Sequence, residues 1–210
     1  MYYICKWLSW LAMRIAFSVR CEGRENIPKG VPLIFASNHR SNADPPLVAS
    51  AVPKKCAFMA KEELFRNKLF GGLIRMLGAF PVARGKGDMS AIDNSVDALK
   101  SGKHLMIFPE GTRSKDGKVG RGHTGAALIA AMADVPVVPI GIVFAGKLHF
   151  RSRITIKFGK PIKTSDYCTP SDKPNPRELV KLKKRFMGDI KQLVGDVDED
   201  KEHREAETGE

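Results

Sequence analysis

Short apolar runs alternate with segments of helical periodicity along most of this chain. The apolar runs predict buried strands at 31–37, 57–60, 80–83, 104–108, 137–144 and 154–158, and residues 21–30 predict a shorter strand and a turn. A helix is predicted to begin at Asp44, and helical periodicity predicts four more helices over 61–77, 89–100, 124–133 and 173–194. This alternation predicts an α/β fold with a mostly parallel central sheet and helices on both faces.

The first 20 residues predict an amphipathic helix of a different kind. Apolar residues recur at helical spacing at Ile4, Leu8, Leu11, Ile15 and Val19, with Lys6, Ser9 and Arg20 on the other face. Lys6 and Arg14 interrupt the apolar runs well below the length that crosses a bilayer. Tyrosine and tryptophan rings among them are typical of headgroup depth. We expect an interfacial membrane helix over 1–20, with packing on the domain's own core as the alternative.

The charge distribution separates the domain from its end. The net charge is +12, yet the last fifteen residues carry eight acids and two bases. We therefore expect a strongly basic folded domain over 21–195 and an acidic, disordered tail over 196–210. A basic domain favours anionic partners such as lipid headgroups, phosphorylated metabolites or acidic carrier proteins.

The four cysteines are scattered without a C-x-x-C pair, and no histidine stands at zinc-finger spacing. This pattern argues against a disulfide framework or a structural zinc site, and it favours a reducing, cytosolic environment.

A histidine and an aspartate follow the strand predicted at 31–37, where sites of α/β sheets lie. A neutral His39 imidazole can take a proton from an attacking hydroxyl, while an Asp44 carboxylate fixes its tautomer. The substrate then supplies the nucleophile. Alone, this spacing favours Asp44 as a helix cap and His39 as a polar loop residue over a catalytic pair.

Three further blocks flank predicted strands. Residues 108–114 read Phe-Pro-Glu-Gly-Thr-Arg-Ser, in which glycine allows close approach of a ligand and arginine fits phosphate oxygens. Residues 78–84 end in Arg84. The fourth block, 135–141, places Pro136 and Pro139 in an apolar strand, which predicts a position lining a ligand or at a sheet edge.

Together these four blocks resemble the glycerolipid acyltransferase family, in particular its 1-acyl-sn-glycerol-3-phosphate acyltransferase branch, over residues 20–163. The resemblance implies acyl transfer from acyl-CoA or acyl-carrier protein to the 2-hydroxyl of lysophosphatidic acid, giving phosphatidic acid in phospholipid biosynthesis. It implies no metal and no cofactor beyond this co-substrate. It also implies a place at the cytoplasmic face of the cell membrane, peripheral or monotopic.

The resemblance also implies roles for single residues. His39 is the general base and Asp44 its orienting partner. A positioned general base raises the reaction rate by about 10²–10⁴-fold. The substrate phosphate is held by Arg84, Arg113 and Lys61. The acceptor block supplies Glu110, Gly111 and Thr112, and an amide near Gly111 or in the segment of Pro139 is an oxyanion candidate.

Three other functions stay open from the residues. His39, Asp44 and Glu110 are the possible ligands of a metal-dependent hydrolase, although no H-E-x-x-H motif is present. A non-catalytic lipid-binding protein would use the basic surface and the first helix. Nucleic-acid binding is disfavoured because aromatic residues do not interleave with the basic ones. Within acyl transfer, glycerol-3-phosphate or another lysophospholipid is the alternative acceptor.

Overall fold

A computed structural model describes residues 2–52, 55–82 and 89–196. Seven strands form one sheet: β1 Ser18–Glu22, β2 Ile34–Ser37, β3 Cys56–Lys61, β4 Ala79–Val82, β5 His104–Ile107, β6 Val137–Val143 and β7 Arg153–Phe158. Six α-helices accompany them in the described ranges: α1 Tyr2–Ala16, α2 Asp44–Ala51, α3 Lys68–Met76, α4 Met89–Lys100, α5 Gly125–Ala133 and α6 Pro176–Val194.

The strand order is β1-β7-β6-β2-β5-β3-β4. Adjacent strands are parallel throughout except for β6 and β7, which pair antiparallel. The sheet is therefore mostly parallel, as the alternating pattern predicts.

Alternate side chains of the strands feed two cores. Ile34 of β2 packs with α4, α5 and α6 on one face, whereas Phe35 packs with α2 and α3 on the other. Met13 of α1 is partly buried against this second core. The expectation of helices on both faces is confirmed, since a parallel sheet needs both faces covered.

Two helix boundaries differ from the periodicity. The segment 61–77 is not one helix: a single 3-10 turn at Glu62–Phe65 precedes α3. The break lies at Asn67, whose Oδ1 caps α3 by accepting from the N–H groups of Leu69 at 3.1 Å and Phe70 at 3.0 Å. The first helix ends at Ala16, because the next residues join the sheet, where Val19 pairs with Ile154.

Strand β6 carries Pro139 inside the sheet, between β7 and β2. The expected edge position is therefore wrong. Ile140 pairs with Phe158 and Val137 bridges to Ile162, so the partner segment holds one extra residue opposite the proline. A proline has no N–H to donate, and such a bulge is where a sheet tolerates one.

Asp196, the first residue of the predicted acidic tail, contacts the domain: its carboxylate accepts from the N–H of Val119 at 2.6 Å. The rest of the predicted acidic tail lies outside the described residues. Within the described ranges, no helix combines the length and apolarity required to span a membrane.

Candidate active site

The candidate residues meet at the carboxyl edge of three neighbouring parallel strands. Strand β2 ends just before His39, β5 ends just before Phe108, and β3 ends at Lys61. Parallel strands deliver the loops that follow them to one edge of the sheet, which is where ligand sites of α/β folds lie.

His39 and Asp44 form a buried pair. Nδ1 of His39 lies 2.8 Å from Oδ2 of Asp44, and the Asp44 side chain is fully buried. The same oxygen accepts from the N–H groups of Arg40 at 2.6 Å and Ser41 at 2.7 Å. Asp44 is thus the first residue of α2 and not its cap, since its carboxylate turns back to hold the loop that carries His39.

The imidazole of His39 is fixed on two sides. Its ring stacks on that of Phe108, with centroids 4.1 Å apart and planes at 23°. A carboxylate only accepts hydrogen bonds, so Nδ1 carries the proton toward Asp44 and Nε2 carries the lone pair of the neutral ring. His39 lines a cavity. Because Nδ1 is used by Asp44, Nε2 is the ring nitrogen that can accept a proton from a ligand in this cavity.

The side chain of Asn38 joins the backbone before His39 to β6, the strand beside β2 in the sheet. Its Nδ2 donates to the carbonyl of Ile142 at 3.0 Å, and the N–H of Ile142 donates to its Oδ1 at 2.7 Å. Asn38 is buried. Sequence reasoning assigned it no role, and its position directly after an apolar strand is the one signal that marks it.

Glu110 holds the backbone of the site together. Its Oε1 accepts from the N–H of His39 at 2.9 Å and its Oε2 from the N–H of Gly120 at 3.0 Å. Glu110 is not among the residues that line the cavity beside His39. Both carboxylate oxygens are already used by backbone donors, which disfavours both the expected acceptor contact and a metal-ligand role.

The histidine loop is tied to the loop after Glu110 at one more point and to the segment after β6 at another. The N–H of Ser114 donates to the carbonyl of His39 at 2.8 Å. The Arg40 guanidinium donates to the carbonyl of Phe144 at 2.6 Å and lies 4.1 Å from the centroid of its ring. The segment 110–120 is therefore held beside His39 by backbone contacts that no motif reveals.

A cavity of about 1350 Å³ extends from His39 toward the first three helices. Its walls include apolar side chains from several elements, among them Leu8, Met13, Phe58, Phe70, Leu73, Ile74, Leu77, Met106 and Phe108. Cationic side chains that line the same cavity are Lys6, Arg40, Lys61, Arg113 and Lys115. The space thus joins a polar site at His39 to an apolar interior.

The predicted phosphate contacts fall into two groups. Lys61 and Arg113 are exposed side chains that line the cavity with His39. Arg84 lies outside the described residues. Strand β4 ends at Val82, which also lines the cavity.

The oxyanion candidates separate as well. The N–H of Gly111 donates to the carbonyl of Phe108 at 3.0 Å in a turn that places Gly111 at φ +69°. That donor is used inside the protein. Pro139 has no N–H, and it lies against Gly159 and is not among the residues that line the cavity. Thr112 lines the cavity.

Helix α1 forms one wall of the cavity and is tethered to the domain. The Tyr2 hydroxyl accepts from the N–H of Cys56 at 2.9 Å, and Lys6 donates to the carbonyl of Val52. Burial raises the pKa of the Tyr2 phenol and lowers that of the Lys6 ammonium. The polar side of α1 therefore faces the domain, and its apolar stripe, with Ile4 61% exposed, faces outward.

A cluster of three or more His, Cys, Asp or Glu side chains suited to a metal ion is absent from the part of the chain that the structure describes.

Comparisons with known proteins show which family this chain belongs to. The Acyltransferase family model matches residues 18–143. A 1-acyl-sn-glycerol-3-phosphate acyltransferase of Streptococcus pneumoniae is 42% identical over 144 residues, which cover 66% of this chain and 53% of the relative. The enzyme of that name from Bacillus subtilis is 29% identical over 204 residues, covering 95% of this chain and 100% of the relative.

One solved structure is similar across the fold. The crystal structure of the 1-acyl-sn-glycerophosphate acyltransferase PlsC from Thermotoga maritima matches with a TM-score of 0.73 and 28% identity, covering 91% of this chain and 79% of that one. This chain spans about half the length of the Streptococcus relative and less of a chloroplast relative from Arabidopsis thaliana, of which 42% is covered. The family match includes the histidine loop, the segment 108–115 at the cavity and all of β6, and the chain belongs to the acyltransferase family.

Proposed function

We propose that this protein transfers a fatty acyl group from an acyl thioester to the 2-hydroxyl of 1-acyl-sn-glycerol-3-phosphate, giving phosphatidic acid. The observation that carries the proposal is the buried His39–Asp44 pair at 2.8 Å, next to a cavity with an apolar interior. A proton acceptor beside an apolar space suits a hydroxyl nucleophile that belongs to a lipid. The names of several relatives support the same reaction.

His39 acts as the general base in this mechanism. Its Nε2 takes the proton of the acceptor hydroxyl while the oxygen attacks the thioester carbonyl carbon. The C–S bond then breaks, and the imidazolium returns the proton to the leaving thiolate. Asp44 orients the ring and stabilises the imidazolium, so that no protein nucleophile and no cofactor are required.

Two cationic side chains of the cavity bind the phosphate of the acceptor. Arg113 offers a planar fork for its oxygens and Lys61 a second positive charge. Arg84 is proposed as the third contact on the strength of the sequence resemblance alone. Thr112 is the remaining oxyanion candidate, through its backbone N–H, because the Gly111 amide is used within a turn.

The apolar walls of the cavity receive an acyl chain, and the outward apolar stripe of α1 lies in the membrane interface. The outward orientation of Ile4, Leu8 and Ile15 favours this proposal over a helix that only packs on the domain. We place the protein at the cytoplasmic face of the cell membrane. Its net charge of +12 suits an anionic surface and either donor, acyl-CoA or an acidic acyl-carrier protein.

A second acceptor class has one specific observation in its favour. A lyso-ornithine lipid O-acyltransferase of Pseudomonas aeruginosa is 32% identical over 139 residues, 66% of this chain. The same base and oxyanion chemistry would serve that acceptor. Lys61 and Arg113 at the cavity favour an acceptor with a phosphate group.

A radiolabelled acyl-transfer assay tests the proposal. Acyl-CoA and acyl-carrier protein are offered separately with lysophosphatidic acid, glycerol-3-phosphate or another lysolipid, using wild type and His39→Ala. We expect labelled phosphatidic acid from wild type and a loss of about 10²–10⁴-fold in His39→Ala. Near-native turnover in His39→Ala would refute the mechanism, and label in another lysolipid alone would reassign the acceptor.

A further inference from the structure

Helix α3 turns apolar side chains outward. Leu69 is 88% exposed, and Phe70, Leu73 and Met76 are also exposed, while Gly71 and Ile74 are the only residues of this nine-residue helix that are buried. A helix on the surface of a globular domain ordinarily turns its apolar side to the core. Adjacent exposed apolar side chains instead mark an interaction surface.

Helix α1 lies beside α3 and extends this apolar area. Sγ of Cys5 lies 4.0 Å from Sδ of Met76, which joins the two helices side by side. On α1, Trp7 is 58% exposed, and Ile4 and Leu8 are exposed with it. We call these exposed apolar residues of the two helices the α1–α3 surface.

Exposed cations stand on α3 and in the segment just before it. Lys61, Arg66, Lys68 and Arg75 are all exposed, against the two neighbouring carboxylates of Glu62 and Glu63. An apolar area with these cations close to it in the chain is complementary to a bilayer that contains anionic headgroups. Two copies of the chain meeting through this area would bring the same cations together, which disfavours a self-contact.

The α1–α3 surface also borders the cavity. Phe70 and Leu73 of α3 line it, as do Cys5 and Leu8 of α1. We propose that α3 is a second lipid-inserting element, which enters the headgroup layer of an anionic bilayer together with α1. In this position the mouth of the cavity faces the lipid. This inference rests on the proposed function only for the lipid substrate in the cavity; the docking itself rests on exposure and charge.

A tryptophan on α3 tests the insertion directly. The chain has two tryptophans, Trp7 and Trp10, both on α1. In a Trp7→Phe/Trp10→Phe background, Leu69→Trp places the only tryptophan of the chain on α3, and excitation at the red edge of the absorption band selects it over the tyrosines. Val180→Trp is the matched control, because Val180 is a 37% exposed apolar residue of α6, on the opposite face of the sheet.

Both proteins are mixed with vesicles of equal parts phosphatidylcholine and phosphatidylglycerol that carry brominated acyl chains. We expect blue-shifted, quenched emission from Leu69→Trp and unchanged emission from Val180→Trp. Unquenched emission from Leu69→Trp in protein that sediments with the vesicles would overturn the proposal.

The affinity for the same vesicles, unbrominated, gives a second readout. Leu69→Glu should lower it at least about tenfold, the effect of losing one buried leucine side chain, whereas Val180→Glu should retain it. Unchanged affinity in Leu69→Glu would overturn the proposal. Loss of a dimer in that variant at unchanged affinity would do the same, in favour of a self-contact.

Turnover separates this inference from the proposed function. Leu69 does not line the cavity, so Leu69→Glu should acylate a dispersed short-chain lysophosphatidic acid at the wild-type rate. If the Leu69→Trp emission is quenched but the wild-type protein shows no turnover, the docking is supported and only the proposed function is refuted.

Discussion

Replacing Glu110 with glutamine tests whether this residue holds the site or binds the acceptor. The carboxylate accepts from the N–H groups of His39 and Gly120, at 2.9 and 3.0 Å. Glutamine keeps one acceptor oxygen, but its NH2 group then faces the other backbone N–H, so one hydrogen bond is lost and two donors oppose each other.

The expected cost follows from that geometry. A hydrogen bond to a charged acceptor contributes about 1.5–3 kcal/mol. Glu110 is only half-buried, so the lower part of the range applies and we expect the free energy of unfolding to fall by about 2 kcal/mol. For a domain of this size the melting temperature then falls by about 4–8 °C.

Catalysis should suffer through the position of His39. The lost contact anchors the peptide that carries the base, and a small displacement of a catalytic group lowers kcat by about 10- to 100-fold. The KM for lysophosphatidic acid should change little, because Glu110 does not line the cavity.

Steady-state acyl transfer and thermal unfolding of the same preparations measure these effects. Glu178→Gln is the matched control, since its half-buried carboxylate also accepts from a backbone N–H, that of Thr169 at 3.1 Å. A raised acceptor KM at unchanged kcat and melting temperature would refute the anchoring role and restore the acceptor contact predicted from the motif.

Three other changes have definite expected outcomes. Asn38→Ala leaves the N–H and carbonyl of Ile142 unpaired, so stability measured in urea should fall by roughly 2–4 kcal/mol; an unchanged transition midpoint would contradict the pinning. Arg113→Ala should raise the KM for lysophosphatidic acid by about 10- to 100-fold, and a change confined to donor saturation would remove Arg113 from the phosphate site. Burial raises the pKa of Cys56 to about 12, which suppresses its thiolate, so a maleimide at neutral pH should modify Cys5 in the cavity wall before Cys56. Such modification should block turnover with long acyl chains in wild type and not in Cys5→Ser; equal inhibition of both would show that Cys5 is not the target.

Local periodicity predicted the architecture because it reflects burial that every parallel strand and covering helix shares. The segment 89–100 forms α4 with the same bounds, and the apolar runs at 104–108 and 137–144 form β5 and β6 within a residue. The motif around His39 also predicted its contact with Asp44, because a spacing of five residues across one tight loop leaves little freedom.

Contacts between distant parts of the chain decided the rest. The motif does not reveal that the Glu110 carboxylate accepts from the backbone N–H groups of His39 and Gly120, which lie 71 and 10 residues from it in the chain. Pro139 looked like an edge residue, since a register shift opposite it depends on a strand that comes later in the chain. Asn38 carried almost no signal, because its partner Ile142 is 104 residues away.

The sequence by itself determined an α/β domain, a His39–Asp44 pair at a strand end and an amphipathic first helix, all of which depend on neighbours within a few turns of the chain. Only the tertiary structure decided which way α1 faces and that α3 exposes Leu69 beside it. Amphipathicity defines two sides of a helix but not which of them the protein covers. That choice depends on the free energy of packing against the rest of the fold.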